Sequence, residues 1–118
     1  MNIKSKNTQK SLKALEKITG AKLTLGGVIR AIRQADGKSQ VDFAALLKIP
    51  KQQLCDIECG RKSVSPKLAA IYADRLGYSR EQFIRLSLQD MMERQGLGFK
   101  IVIIPMHPKK KFNEVNYE

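Results

Sequence analysis

The sequence predicts an all-α domain of five helices, with a short N-terminal helix before it and one β-strand after it. Apolar residues recur at helical spacing along most of the chain, and glycine and proline fall between these periodic stretches. The 118 residues have the length of one domain. We therefore predict a basic arm with a short helix at 1–22, the helical domain at 23–95, and a strand with a basic tail at 96–118.

The first core helix follows a capping residue, Thr24, and ends near Asp36 and Gly37. Before it, apolar residues at positions 12, 15 and 18 indicate a short helix that ends at Gly20. The core helix is predicted because its apolar residues follow the spacing i, i+3, i+4, i+7. They are Leu25, Val28, Ile29 and Ile32.

Two short helices separated by a tight connection come next. Ser39 and Asp42 have the spacing of a capping box at the start of the second core helix. Pro50 suits the start of the third because it has no N–H to leave unpaired there. Cys59 and Gly60 end the third helix. The predicted buried residues of the two helices are Phe43, Leu46, Leu47, Leu54 and Ile57.

The fourth helix is predicted from Ser65 and Pro66 to Gly77, and the fifth begins at Ser79. One stripe of the fourth contains Leu68, Ala69, Tyr72 and Leu76. The fifth has apolar residues over more of its circumference than one core contact needs, which predicts a second covered surface. Those residues are Phe83, Ile84, Leu86, Leu88, Met91 and Met92.

Residues 99–104 form the clearest strand pattern in the chain, because they are mostly β-branched and end at Pro105. Only Lys100 interrupts the apolar run. An unpaired strand of this composition invites aggregation, so a partner strand is expected.

The charge of the chain favours polyanions as partners. The sequence has 22 Lys and Arg against 11 Asp and Glu, which gives a net charge of +11. No apolar run approaches the roughly 20 residues that span a bilayer, and the N-terminus has no secretory signal pattern. We expect a cytoplasmic protein.

The third helix has a polar outward face at the position from which a projecting helix contacts base edges. Glutamine can pair with adenine, lysine can donate to guanine, and a carboxylate can accept from cytosine. We therefore predict base-reading roles for Lys51, Gln52, Gln53 and Asp56.

The stretch SQVDFAALLKIPKQQLCDIECGR resembles the phage-repressor-like (Xre, Cro/CI-type) helix-turn-helix family. Ser-Gln opens the second helix, Phe-Ala lies in its middle, and Ile-Glu is followed by Gly-Arg at the end. The resemblance covers about residues 24–88 and implies a DNA-binding domain at 23–95. It implies that Gln40, Arg61 and Lys62 contact DNA phosphates, and that Arg33 and Glu58 form a structural ion pair.

Three residues depart from the family pattern. Lys48 stands where glycine is usual in the turn, and Pro50 replaces the usual capping Ser or Thr. Asp56 would repel phosphates, so it either reads cytosine or marks a part of the helix that stays out of the groove.

Neither an enzyme nor a metal protein is expected. No Ser-His-Asp set, phosphate-binding glycine loop or catalytic carboxylate pair can be assembled, and no cofactor is predicted. Cys55 and Cys59 are four residues apart, but His107 is the only histidine and lies in the tail. A tetrahedral metal site therefore lacks ligands.

The resemblance implies a transcriptional repressor that binds an operator as a homodimer, and the surplus apolar surface favours the antitoxin of a type II toxin–antitoxin operon. Such an antitoxin would hold a RelE-like toxin and repress its own operon. The alternatives are a stand-alone phage-like repressor and a protein-binding module that has lost DNA binding. The predicted dimer or partner surface comprises Phe83, Leu88, Met91, Met92, Phe99, Ile101 and Ile103.

Overall fold

The computed structural model describes residues 23–106. The five predicted core helices are confirmed in this part of the chain, and none of them is long and apolar enough to cross a membrane. The predicted N-terminal helix, His107 and the basic tail lie outside the described residues. The helices are α1 (Leu25–Ala35), α2 (Gln40–Leu47), α3 (Lys51–Glu58), α4 (Pro66–Leu76) and α5 (Arg80–Arg94).

Four of the five helices begin with a side-chain cap, as predicted. Thr24, Ser39, Ser65 and Ser79 each accept a hydrogen bond from the backbone N–H three residues on. Such a cap is worth about 1 kcal/mol because it satisfies one of the unpaired amides of the first turn. The exception is α3, which follows Pro50 without a side-chain cap.

All five helices contribute to one hydrophobic core, in which Tyr72, Phe43 and Phe83 are the largest fully buried residues. The prediction of burial is wrong for two residues: Leu46 is 46% exposed and Leu68 is 38% exposed. The buried residues of α2 are Phe43, Ala44 and Leu47. Successive residues of a helix are rotated by about 100°, so these three define a buried face whose centre is roughly 100° from Leu46. Leu68 lies off the buried face of α4 for the same reason.

The last helix, α5, packs mainly against α4 and also reaches the start of α1. The Asp90 carboxylate accepts a hydrogen bond from the Leu25 N–H at 3.0 Å. Burial raises the pKa of Asp90 above its usual value, while the hydrogen bond from Leu25 opposes that rise. Phe83 and Leu86 are buried, whereas Met91 is 49% exposed. The surplus apolar surface predicted for α5 is therefore partly uncovered.

The predicted β-strand at residues 99–104 is wrong, because residues 97–105 have no regular secondary structure. A strand requires a partner strand for its backbone hydrogen bonds, and residues 23–106 contain none. The side chain of Gln89 holds the segment instead. Its Nε2 donates to the Phe99 carbonyl at 2.9 Å, and its Oε1 accepts from the Ile101 N–H at 2.7 Å.

Candidate nucleic-acid interface

The connection between α2 and α3 is a tight turn in which Lys48 adopts a left-handed conformation, with φ 60° and ψ 44°. This conformation costs a non-glycine residue roughly 1–2 kcal/mol. Hydrogen bonds from the Lys48 and Ile49 N–H groups to Ala45 and Ala44 close the end of α2. The lysine therefore takes up the backbone geometry that glycine usually provides at this turn.

The inner side of α3 is fixed in the core by Leu54 and Ile57, which are 0% and 2% exposed. Lys51 and Gln52 are consequently exposed at the start of the helix. Gln53 is half-buried, and its Nε2 lies 3.4 Å from the Tyr72 hydroxyl. The four predicted base-reading residues therefore fall into an exposed pair, Lys51 and Gln52, and a less accessible pair, Gln53 and Asp56.

Asp56 connects two of the predicted DNA-binding residues. Its Oδ1 accepts from Gln52 Nε2 at 3.1 Å and from Arg61 Nε at 3.1 Å. The carboxylate raises the pKa of Arg61 above its usual value. A second guanidinium nitrogen of Arg61 lies 3.7 Å from Cys55 Sγ. Gln52, Asp56 and Arg61 thus form one hydrogen-bonded chain on the outer side of α3.

The predicted ion pair joins three helices. Glu58 accepts from Arg33 Nε at 2.8 Å, from a terminal guanidinium nitrogen of Arg33 at 3.1 Å, and from Gln40 Nε2 at 3.0 Å. The Glu58 side chain is only 3% exposed, and its carboxylate raises the pKa of Arg33. Arg33 also donates to the Lys38 carbonyl at 3.0 Å. The carboxylate therefore ties the end of α3 to α1 and to the start of α2.

The two groups of predicted phosphate contacts differ in their placement. Gln40 is half-buried, and its amide donates to Glu58. Arg61 and Lys62 are exposed just beyond the C-terminal end of α3. These two cations are accessible to a polyanion without rearrangement of the core.

One positioning residue was missed by the sequence interpretation. Gly26 is buried in α1, and a Cβ atom built on it would overlap the carbonyl oxygen of Ile57 in α3. The backbones of the two helices therefore meet at this glycine. The sequence signal was the adjacent pair Gly26 and Gly27 inside a helical pattern, because each glycine costs about 1 kcal/mol relative to alanine in a helix.

The cysteines lie on or beside α3, with Cys55 half-buried and Cys59 exposed, and both are free thiols. Within residues 23–106, no three His, Cys, Asp or Glu side chains are grouped closely enough to hold a metal ion.

The fold and this surface form a helix-turn-helix motif: two short helices meet at a tight turn, and the second exposes polar side chains at its N-terminal end. Comparison with protein families agrees, because the family model described as helix-turn-helix matches residues 29–83. The match runs from α1 into the start of α5 and indicates a DNA-binding transcription regulator. No curated protein and no solved structure matches the chain.

Proposed function

We propose that the protein is a sequence-specific transcriptional repressor that reads operator DNA with α3, binds as a homodimer and has no catalytic activity. The observation that carries the proposal is the exposed pair Lys51 and Gln52 on a helix whose opposite side is fixed in the core. Glutamine can form a bidentate pair with adenine, and lysine can donate to guanine. Residues near the N-terminus of a recognition helix make such contacts in the major groove.

Arg61 and Lys62 provide the complementary phosphate contacts in this proposal. Both are exposed at the far end of α3, so they can reach the backbone while the start of the helix contacts bases. Phosphate contacts fix the register of a protein on DNA and carry no sequence information directly. The net charge of +11 adds a long-range attraction for DNA.

The expected result for Gln52→Ala is a loss of about 1–3 kcal/mol in binding to the operator, because one bidentate base contact is removed. Binding to random DNA of equal length should change little. The measurement is fluorescence anisotropy with the DNA upstream of the protein's own gene and with a shuffled sequence.

Lys62→Ala is the matched control for this experiment. It should weaken binding to both DNAs and reduce the slope of log K against log salt by about one. Equal losses on operator and shuffled DNA for Gln52→Ala would contradict the base-reading role of α3. Absence of binding to any upstream or random DNA would favour a protein-binding module that has lost DNA binding.

Asp56 limits the affinity of this surface for DNA, because its carboxylate repels phosphates and holds Gln52 and Arg61. Asp56→Asn should therefore tighten binding to shuffled DNA. The salt slope should steepen by up to about one, because the Asp56 carboxylate no longer neutralises Arg61 beside the phosphates. A titration of both DNAs at several salt concentrations measures the two effects. Weaker binding that is confined to the operator would instead assign Asp56 a cytosine-reading role.

The antitoxin of a type II operon is a second candidate function. It is favoured by the apolar side chains of residues 97–106, which the DNA-reading helices do not need: Phe99, Val102 and Ile104 are 69%, 70% and 78% exposed. An antitoxin needs such a surface to hold its toxin. Purification of the tagged protein from its native operon tests this function. A small ribonuclease of the RelE-like class that co-purifies would support the antitoxin, whereas its absence would favour a stand-alone repressor.

A further inference from the structure

The backbone carbonyl at the end of α2 is bonded from a helix outside the helix-turn-helix pair. Leu47 is the last residue of α2 and is 0% exposed, and the carbonyls of a last helical turn have no partner within their own helix. Arg75 of α4 donates to the Leu47 carbonyl at 2.6 Å from a terminal guanidinium nitrogen. Because a buried carbonyl without a partner is costly, this bond fixes the end of α2 relative to α4.

The bond lies directly before the strained residue of the turn. Lys48 follows Leu47 and has φ 60°. The N–H groups of Lys48 and Ile49 bond carbonyls within α2, so they close the end of that helix without tying it to α4. Relaxation of Lys48 to an ordinary backbone conformation has to move either the end of α2 or the start of α3. The bond from Arg75 opposes the first of these movements.

The same side of α4 also reaches α3. Tyr72 lies three positions before Arg75 and is 1% exposed, and its hydroxyl is 3.4 Å from Gln53 Nε2. Burial raises the pKa of Tyr72 above its usual value, while the hydrogen bond from Gln53 and the charge of Arg75 oppose that rise. The fourth helix therefore contacts the chain on both sides of the turn.

We infer that Arg75 is a positioning residue for DNA reading, which holds the strained turn at Lys48 and thereby sets the direction in which α3 presents Lys51 and Gln52. Only two residues separate Lys48 from the start of α3, so a rotation at Lys48 is carried directly into that helix. The inference rests on the proposed function for its purpose, but the hold on the turn is measurable without DNA.

Amide hydrogen exchange of the full-length chain tests the hold on the turn. Arg75→Met removes the donor and keeps an unbranched side chain. Exchange of the Lys48 and Ile49 N–H groups should become about 10-fold faster, which is the usual effect of losing a hydrogen bond from a charged group. The comparison is with the Leu86 N–H of α5, which reports the stability of the core as a whole. Arg75→Lys keeps a charged donor and should stay close to the wild type.

A pair of suppressor variants tests the link to backbone strain and to DNA. Arg75→Met should lower the ratio of operator affinity to shuffled-DNA affinity about 10-fold, as expected when one base contact is misplaced. Adding Lys48→Gly should restore most of this ratio, because glycine adopts a positive φ without strain. Lys48→Ala is the matched control: it removes the same charge but keeps the strain, so it should not restore the ratio.

Three outcomes overturn the inference. Unchanged exchange at Lys48 and Ile49 in Arg75→Met would show that the bond does not hold the turn. Equal recovery with Lys48→Gly and Lys48→Ala would exclude strain as the link. Equal losses on operator and shuffled DNA, with a salt slope lower by about one, would make Arg75 a phosphate contact. If the wild type binds no DNA but Arg75→Met loosens the turn, the role in DNA reading falls with the proposed function and the hold on the turn stands.

Discussion

Replacing Glu58 by alanine should lower the free energy of unfolding by about 3–5 kcal/mol, which is the usual cost of removing one partner from a buried charge pair. The Glu58 carboxylate is 3% exposed and accepts three hydrogen bonds. Its loss leaves the Arg33 side chain, which is only 14% exposed, without its carboxylate partner, and it leaves the Gln40 amide without its acceptor. Urea denaturation followed by circular dichroism measures the effect.

A double variant separates the structural role from a DNA-binding role. Arg33→Met with Glu58→Leu removes both charges and fills the site with apolar groups, so it should recover most of the stability lost in Glu58→Ala. Operator binding should recover with it, because α3 keeps its position. If Glu58→Ala unfolds like the wild type while operator affinity falls, Glu58 acts at the DNA and the bracing role is wrong.

The helical core was predictable from sequence because its signals are local. A cap such as Thr24 or Ser65 and an apolar repeat such as the one in α1 fix both the start and the buried face of a helix. The exposure of Lys51 and Gln52 was predictable for the same reason, because Leu54 and Ile57 define the inner side of α3. Leu46 was misplaced because an eight-residue helix contains too few apolar positions to fix its phase when several neighbours are apolar.

The parts that sequence did not predict depend on contacts between distant residues. Propensity predicted a strand at residues 99–104, but a strand needs a partner strand, and within the described chain Gln89 is the group that bonds this segment. Gln40 was predicted to contact a phosphate, yet its amide donates to Glu58, eighteen positions further on. The bonds from Gln52 and Arg61 to Asp56 depend on the rotamers of long side chains, which no periodic pattern encodes.

The close approach of α1 and α3 at Gly26 leads to the second large prediction. Gly26→Ala should lower the free energy of unfolding by about 3 kcal/mol, at the upper end of the usual cost of overpacking. The new methyl group would overlap the Ile57 carbonyl oxygen, and it would also lie 3.1 Å from the Ile57 carbonyl carbon. Both atoms belong to the backbone, so no rotamer change relieves the overlap and α3 must move away from α1.

The neighbouring Gly27→Ala is the matched control for Gly26→Ala. Its methyl group would meet only the Thr24 hydroxyl oxygen, at 3.1 Å. That side chain can shift, and alanine gains about 1 kcal/mol over glycine in a helix, so stability should change by less than about 1 kcal/mol. Because α3 carries Lys51 and Gln52, Gly26→Ala should also weaken operator binding at temperatures where the variant remains folded, whereas Gly27→Ala should not. Equal denaturation midpoints for the two variants would show that the helices do not meet at Gly26.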